Sequence, residues 1–209
     1  YCMIVGLLGL AGSGKGTVAD HIVNEFGYEK QSFASPIKDI TSTLFGWNRA
    51  LLEGDTKESR EFREKKQGKY IPRDVLQKIG TECFRDAFNP DFWIDALESR
   101  VNTSKNIVIP DVRFQNEMDW ILKNHGMLLW VRREDREPEW FKNLISNNTL
   151  PEKIHSSEWS WTQHRFFKST IKTYNKHFII SNTGTLESLH LVIDELFLYY
   201  WNIDHVRKS

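Results

Sequence analysis

Residues 4–23 constrain what this chain can fold into more than any other stretch. The apolar run Ile4-Val5-Gly6-Leu7-Leu8 leads into Gly9-Leu10-Ala11-Gly12-Ser13-Gly14-Lys15-Gly16-Thr17, and Val18-Ala19-Asp20-His21-Ile22-Val23 follows with apolar residues at helical spacing. A buried strand, a glycine-rich loop and a helix in this order build a phosphate-binding loop. Backbone N–H groups from Gly12, Ser13, Gly14, Gly16 and Thr17 must converge on phosphate oxygens, and bulky side chains there would block the approach. The helix adds its positive N-terminal end. Lys15 adds a mobile cation that can follow a transferred phosphoryl group.

The general pattern of such P-loops places Ser or Thr directly after the lysine, where the hydroxyl binds magnesium. Gly16 occupies that position here and Thr17 follows. The stretch GSGKGT resembles the loop of adenylate kinase and related nucleoside monophosphate kinases more than that of GTPases or motor ATPases. The departure leaves the metal's protein ligand open, with Thr17 and Asp111 as candidates, directly or through water.

A chain of 209 residues suffices for one α/β domain with a sizeable core. Its 28 basic residues are balanced by 28 acidic ones, whereas proteins that track a nucleic-acid backbone carry a basic excess. Cys2 and Cys83 give neither a disulfide framework nor metal-ligand spacing, which fits a reducing, cytoplasmic setting. No apolar run approaches the roughly 18 residues needed to span a membrane.

Alternating apolar runs and amphipathic stretches predict a mostly parallel central sheet with helices on both faces, a three-layer sandwich. Gly27 should cap the first helix, and Gln31–Ala34 should be a short strand. Ser35 is placed as N-cap with Pro36 at the first helical position, and Gly46 as the stop. Residues 53–69 are highly charged and read as a solvated helix or excursion. Helices follow from Pro72 through Phe84 and over Phe92–Leu97. Asn106–Asp111 is a core strand, Phe114–His125 a helix closing at Gly126, and Met127–Val131 the next strand. Residues 134–176 lack a strong period. Phe178–Ile180 is a last short strand, and a long helix from Thr185 should bury Leu186, Leu189, Val192, Ile193 and Leu196. One domain spans 1–209, with an acceptor-binding insertion at about 35–100 and a lid at about 133–158.

In parallel α/β folds the chemistry gathers at the carboxyl ends of strands. Asp111 ends an Ile-Val-Ile-Pro-Asp run and resembles a Walker-B carboxylate. Arg113 follows two residues later, and the next strand delivers Arg132 and Arg133, with Arg136 beyond. Phosphoryl transfer spreads charge over equatorial oxygens, which guanidinium forks match well. Surface pairing with Glu134, Asp135 and Glu137 is the competing reading for Arg133 and Arg136. The histidines show no metal spacing, and Trp159 and Trp161 read as packing residues.

Several blocks then fall in a telling order: Ala34-Ser35-Pro36-Ile37-Lys38-Asp39, Leu76-Gln77-Lys78-Ile79-Gly80-Thr81-Glu82, Asp91-Phe92-Trp93, Pro110-Asp111-Val112-Arg113 with Asn116-Glu117-Met118-Asp119, His155-Ser156-Ser157-Glu158, and Ser181-Asn182-Thr183-Gly184. Together they resemble the deoxynucleoside monophosphate kinases of large tailed bacteriophages. The resemblance implies a P-loop kinase fold, the reaction ATP + dNMP to ADP + dNDP with Mg²⁺, small-molecule nucleotides as partners, no nucleic acid or membrane, a homodimer as an open option, and a host-cell cytoplasmic location. It implies that Lys38 and Arg73 hold the acceptor's monophosphate and that Gly80 and Thr81 lie beside the acceptor. Trp93 would wall its pocket, Asp111, Arg113 and Glu117 would line the strand-end site, and Ser157 would place a hydroxyl near the nucleotide. The charged insertion before Leu76 is shorter here than in that family, and the segment after Glu158 is longer and more aromatic.

The competing expectation is another small-molecule P-loop kinase, acting on a coenzyme precursor or a sugar acid. A GTPase-like switch is disfavoured because Asp111-Val112-Arg113-Phe114 lacks the glycine of Asp-x-x-Gly and no Asn-Lys-x-Asp stretch is present. A nucleic-acid-associated ATPase is disfavoured by the neutral balance of charge.

Overall fold

The structure is a computed structural model that describes residues 3–102, 104–173 and 178–208, without the side chains of 170–173 and 200–208. Along the chain the elements run β1 (Ile4–Leu8), α1 (Lys15–Phe26), β2 (Glu29–Lys30), α2 (Ser35–Phe45), α3 (Lys57–Glu64), α4 (Pro72–Gln77), α5 (Phe92–Glu98), β3 (Ile107–Ile109), α6 (Gln115–Lys123), β4 (Met127–Arg132), α7 (Glu139–Asn147), α8 (Arg165–Thr173), β5 (Ile179–Ser181) and α9 (Leu186–Lys208). Two compact units emerge: residues 1–30 with 103–209, and residues 31–102.

The first unit holds all five strands in one parallel sheet of order β2-β3-β1-β4-β5. Strands covered on both faces need continuous apolar runs, and Val5, Leu7, Leu8 and Leu128–Leu129 are fully buried. Alternation along the strands sorts the side chains into two cores. On one face Val5, Leu7, Leu129 and Val131 pack with Val18 and Ile22 of α1 and with Leu189 and Ile193 of α9. His21 adds a polar tie between those helices, its Nε2 lying 2.7 Å from Asp194 Oδ1 and its ring stacked on His190. On the other face Trp130 meets Phe141 of α7, Trp161 and Phe167 of α8. Ile121 of α6 lies over Gly6, where a Cβ would sit 2.5 Å from its Cδ1. Helix, sheet and helix thus form the three layers of the expected sandwich.

The second unit is helical. Gly46 stops α2 in the left-handed conformation (φ 65°), and Thr56 caps α3 by accepting from the Ser59 N–H at 3.1 Å. From Gln77 the chain passes without a break into a π-helical segment, Lys78–Asp86. Beside it Trp93 is buried, and its indole N–H donates to Gly80 O at 2.7 Å. A Cβ on Gly80 would lie 2.9 Å from Ile37 Cδ1 of α2.

Several expectations shift. The strand near residue 31 is Glu29–Lys30, held by the Glu29 N–H on Asn106 O, and Gln31–Ala34 is not a strand but irregular chain ending in a bend at residues 33 and 34. Ala34, not Ser35, is the N-cap of α2, and Ser35 Oγ instead accepts from Arg49. The stretch 134–176 contains α7 and α8, each nine residues long, too short for their aromatic faces to show a period. In α9 the buried stripe is Leu189, Ile193, Leu196 and Phe197, at helical spacing, which leaves Leu186 and Val192 outside it. Cys2 lies outside the described residues, and Cys83 is exposed and unbonded. Among the described residues no helix is long and apolar enough to cross a membrane.

Gly126, expected only as a helix stop, turns out to be fixed by space. His125 takes the left-handed backbone (φ 57°), and a Cβ on Gly126 would lie 2.7 Å from Ile4 O and 2.8 Å from Ile121 O. These are backbone atoms that cannot turn aside. Gly126→Ala should therefore destabilise the fold by about 1–3 kcal/mol, read as a lower denaturation midpoint at unchanged slope.

Candidate active site

The loop between β1 and α1 is built by close approach. A Cβ on Gly9 would stand 2.4 Å from Val131 O, so only glycine lets the loop seat against β4. Gly14 (φ 100°) is the N-cap of α1, and a Cβ there would stand 2.3 Å from Asn182 Nδ2. The first turn of α1 contains no acidic residue, so its N-terminal amides would meet an anion without a competing carboxylate. The Ser13 hydroxyl is buried and has no hydrogen-bond partner among the described residues, an orphan polar atom inside the cradle. Gly16 and Thr17 are exposed at the helix start.

Lys15 folds back over this loop, its ammonium donating to Gly9 O (2.7 Å) and Leu10 O (2.8 Å). Burial and then the neighbouring Arg113 guanidinium push its pKa down to about 7, against the opposing pull of Glu158 and Asp111. The ends of β1 and β3 and the turn at 156–158 therefore place Lys15, Arg113, Asp111 and Glu158 within electrostatic reach of one another. Arg113 Nη1 donates to Glu158 Oε1 at 3.0 Å and lies 3.5 Å from Ser157 Oγ, while Ser157 Oγ is 2.8 Å from His155 Nδ1. Glu117 is buried, and one carboxylate oxygen accepts from the backbone N–H groups of Arg113 (2.7 Å) and Phe114 (3.0 Å). It caps α6 and so fixes where Arg113 leaves the backbone.

The arginines after β4 separate by their partners. Arg132 is gripped by both carboxylate oxygens of Glu137 (2.7 and 3.0 Å), pairs with Glu134 at 2.8 Å, and lies 4.9 Å over the Trp130 ring. Arg133 and Arg136 reach Asp135 only at 3.5 and 3.9 Å. A concavity beside the loop is lined by Gly12 and Ser13 together with Arg132, Arg133, Arg136 and Glu137.

In the helical unit, Lys38 Nζ lies 2.5 Å from Glu53 Oε2, and Glu53 also pairs with Arg49, which reaches Asp39 at 2.5 Å. Burial alone would raise the Glu53 carboxyl, but Lys38 and Arg49 outweigh it and hold it below the usual carboxylate range. Arg73 pairs with Glu64 at 2.6 Å. Gly80 and Thr81 are buried in the π-helical segment, and Trp93 is fixed beneath Gly80. Sequence reasoning gave no role to Glu158, one residue from Ser157, and offered Glu137 as a surface partner for Arg133 or Arg136, whereas it grips Arg132. Asn182 lay in a quoted block without an assigned task.

Magnesium would suit the donors present. Thr17 offers a hydroxyl at the exposed first turn of α1 and Asp111 a carboxylate near Lys15, hard oxygens of the kind that share the ion with waters and phosphates. Among the described residues no group of three or more His, Cys, Asp and Glu could hold a metal.

A cation that burial and Arg113 bring to a pKa of about 7 must be charged to hold phosphate. Binding a nucleoside triphosphate at pH 8 should therefore take up about one proton, measured by calorimetry in buffers of differing ionisation enthalpy. The uptake should vanish in Lys15→Met; no uptake by the wild-type chain would mean that Lys15 is already charged.

A protein from Acanthamoeba polyphaga mimivirus, provisionally named a deoxynucleotide monophosphate kinase, is 28% identical over 202 residues, covering 90% of this chain and 92% of its own. The bacteriophage part of the expected likeness finds no support in this relative. Solved structures with similarity along the chain include TT1252 from Thermus thermophilus (17% identity, 95% of this chain and 98% of that one, TM-score 0.45). The dephospho-CoA kinase from Campylobacter jejuni is 14% identical, with 94% of this chain and 96% of that one covered and a TM-score of 0.41. These two likenesses are too distant to speak to substrate. The sheet order and loop, taken with the family match over residues 48–155, make the chain a P-loop kinase, a phosphotransferase. The family model for deoxynucleotide monophosphate kinase matches residues 48–155, more than half of the 209 residues, and the chain belongs to that family.

Proposed function

We propose that this chain transfers the terminal phosphoryl group of ATP to a deoxynucleoside monophosphate, giving ADP and a deoxynucleoside diphosphate. The observation that carries this reading is the family match over residues 48–155, which spans Arg73, Gly80, Thr81, Trp93, Asp111, Arg113 and Glu117. The donor's phosphates lie in the cradle of Gly12–Thr17, where the Ser13 hydroxyl and the amides at the start of α1 meet their oxygens. Lys15 leaves the carbonyls of Gly9 and Leu10 for the transferring group. Arg113, aimed by the Glu117 cap and braced by Glu158, faces the charge that develops on the equatorial oxygens. Thr17 and Asp111 would hold magnesium, which would supply positive charge to the phosphates.

The acceptor's monophosphate needs cations of its own, and Lys38 and Arg73 supply them. Each waits on a glutamate, Glu53 or Glu64, which the phosphate replaces or shares. Trp93 shapes the acceptor's surroundings from below by fixing the Gly80–Thr81 backbone. Ser157, beside Arg113, offers a hydroxyl to the nucleotide. Residues 133–158 serve as the lid that excludes water, with Arg133 and Arg136 the loosely held cations and Arg132 the fixed one.

The test is a coupled assay of ATP with a panel of deoxynucleoside and ribonucleoside monophosphates. At least one deoxynucleotide should turn over; none turning over, with Lys15 intact, would hand the chain to a coenzyme-precursor or sugar-acid kinase reading. Lys15→Ala should lower kcat by about 10²-fold or more in a folded protein. Arg73→Ala should raise the deoxynucleotide KM about tenfold with the ATP KM little changed, and equal effects on both would remove Arg73 from the acceptor site.

A further inference from the structure

Asn182 follows directly after β5 and has no part in the mechanism above. Its backbone N–H donates to Arg132 O at 2.8 Å, at the end of β4. Its side-chain Nδ2 donates to Ser13 O at 2.9 Å, across 169 residues of sequence. The partner is a carbonyl, which only accepts, so the amide's NH₂ end must be the one facing it. Gly14 packs against the same nitrogen, at a distance that leaves no room for a side chain.

The contact falls on the peptide that matters most for the cradle. In a trans peptide the carbonyl and the following N–H point in opposite directions. Holding Ser13 O toward Asn182 therefore turns the Gly14 N–H away from Asn182. Gly14, at φ 100°, has little intrinsic preference that would keep this peptide from rotating. A loop whose purpose is to converge amides on phosphate needs something outside itself to select one orientation, or the selection is made at the expense of ligand binding.

We infer that Asn182 is a positioning residue for the donor nucleotide: by holding the Ser13 carbonyl while its own backbone is tied to the end of β4, it pre-sets the phosphate loop before ATP arrives. This rests on the loop's role as the donor site and not on which acceptor is used. Asn182 touches no reacting atom. It acts through the Ser13–Gly14 peptide.

Two variants test it, Asn182→Ala, which deletes the donor, and Asn182→Asp, which keeps the shape but turns an oxygen toward the Ser13 carbonyl. Binding of the non-hydrolysable analogue AMP-PNP with Mg²⁺ is measured by calorimetry, and folding by thermal melting of the free protein. Both variants should weaken AMP-PNP about tenfold, the loss expected of one hydrogen bond that organises a site, while melting stays close to wild type. In turnover the loss should appear in the ATP KM and leave the acceptor KM unchanged, a split that general loosening of the fold would not give. A folded variant that binds AMP-PNP as tightly as wild type overturns the inference. So does a loss of binding that tracks a loss of folding in both variants, because Asn182 would then serve the fold alone. A wild-type chain that binds AMP-PNP yet phosphorylates no deoxynucleotide would sink the acceptor assignment and leave this one standing.

Discussion

The approach of the Gly9 backbone to the Val131 carbonyl governs what the sheet's carboxyl edge can do. With 2.4 Å left for a Cβ, any side chain at residue 9 would lift the loop off β4. The loop would then lose its bearing on the residues that follow β4 and β5. That seat exists because β1 runs between β3 and β4 in a sheet buried on both faces, so neither neighbour can move to relieve a clash. Strand packing, the least specific part of the molecule chemically, sets the tolerance of its most specific part.

A second regularity concerns charge. The cations that chemistry would use are each held by a partner that a phosphate could replace or join: Lys38 by Glu53, Arg73 by Glu64, Arg113 by Glu158, Lys15 by two carbonyls. Desolvating a cation without such a partner is costly, and Lys15, offered carbonyl dipoles instead of a carboxylate, answers by shifting its pKa. The equal totals of basic and acidic residues thus have a local meaning. Cations at the candidate sites sit beside acidic partners, so a neutral balance does not mean an absence of cationic chemistry.

How much of this was legible beforehand varies with the range of the signal. The loop, Asp111, Arg113 and the main strands were readable because their cause is local: glycine where amides must converge, apolar runs where both faces are covered. Two kinds of feature were not. Helices α7 and α8 are short, and their Trp and Phe residues face a core that forms only when β4 is present. Contacts such as Asn182 with Ser13, or Arg113 with Glu158, join residues far apart in sequence and leave no periodic trace. Gly126 is instructive in between: its position was evident, but its reason, the Ile4 carbonyl at 2.7 Å, belongs to the fold.

The π-helical segment over Lys78–Asp86 carries one more implication. A π turn accommodates an extra residue without lengthening the helix by a full step, and the widened ladder accompanies the Gly80 carbonyl's bond to the Trp93 indole. Relative to an ordinary α-helix, each residue inserted or lost rotates whatever follows by about 100° around the axis. Deleting a single residue ahead of Phe84 would therefore either close a π turn to an ordinary α turn or swing Phe84 off the Trp93 ring and Arg85 off the Pro90 carbonyl. In this stretch the number of residues, and not their chemistry alone, decides which neighbours Phe84 and Arg85 meet.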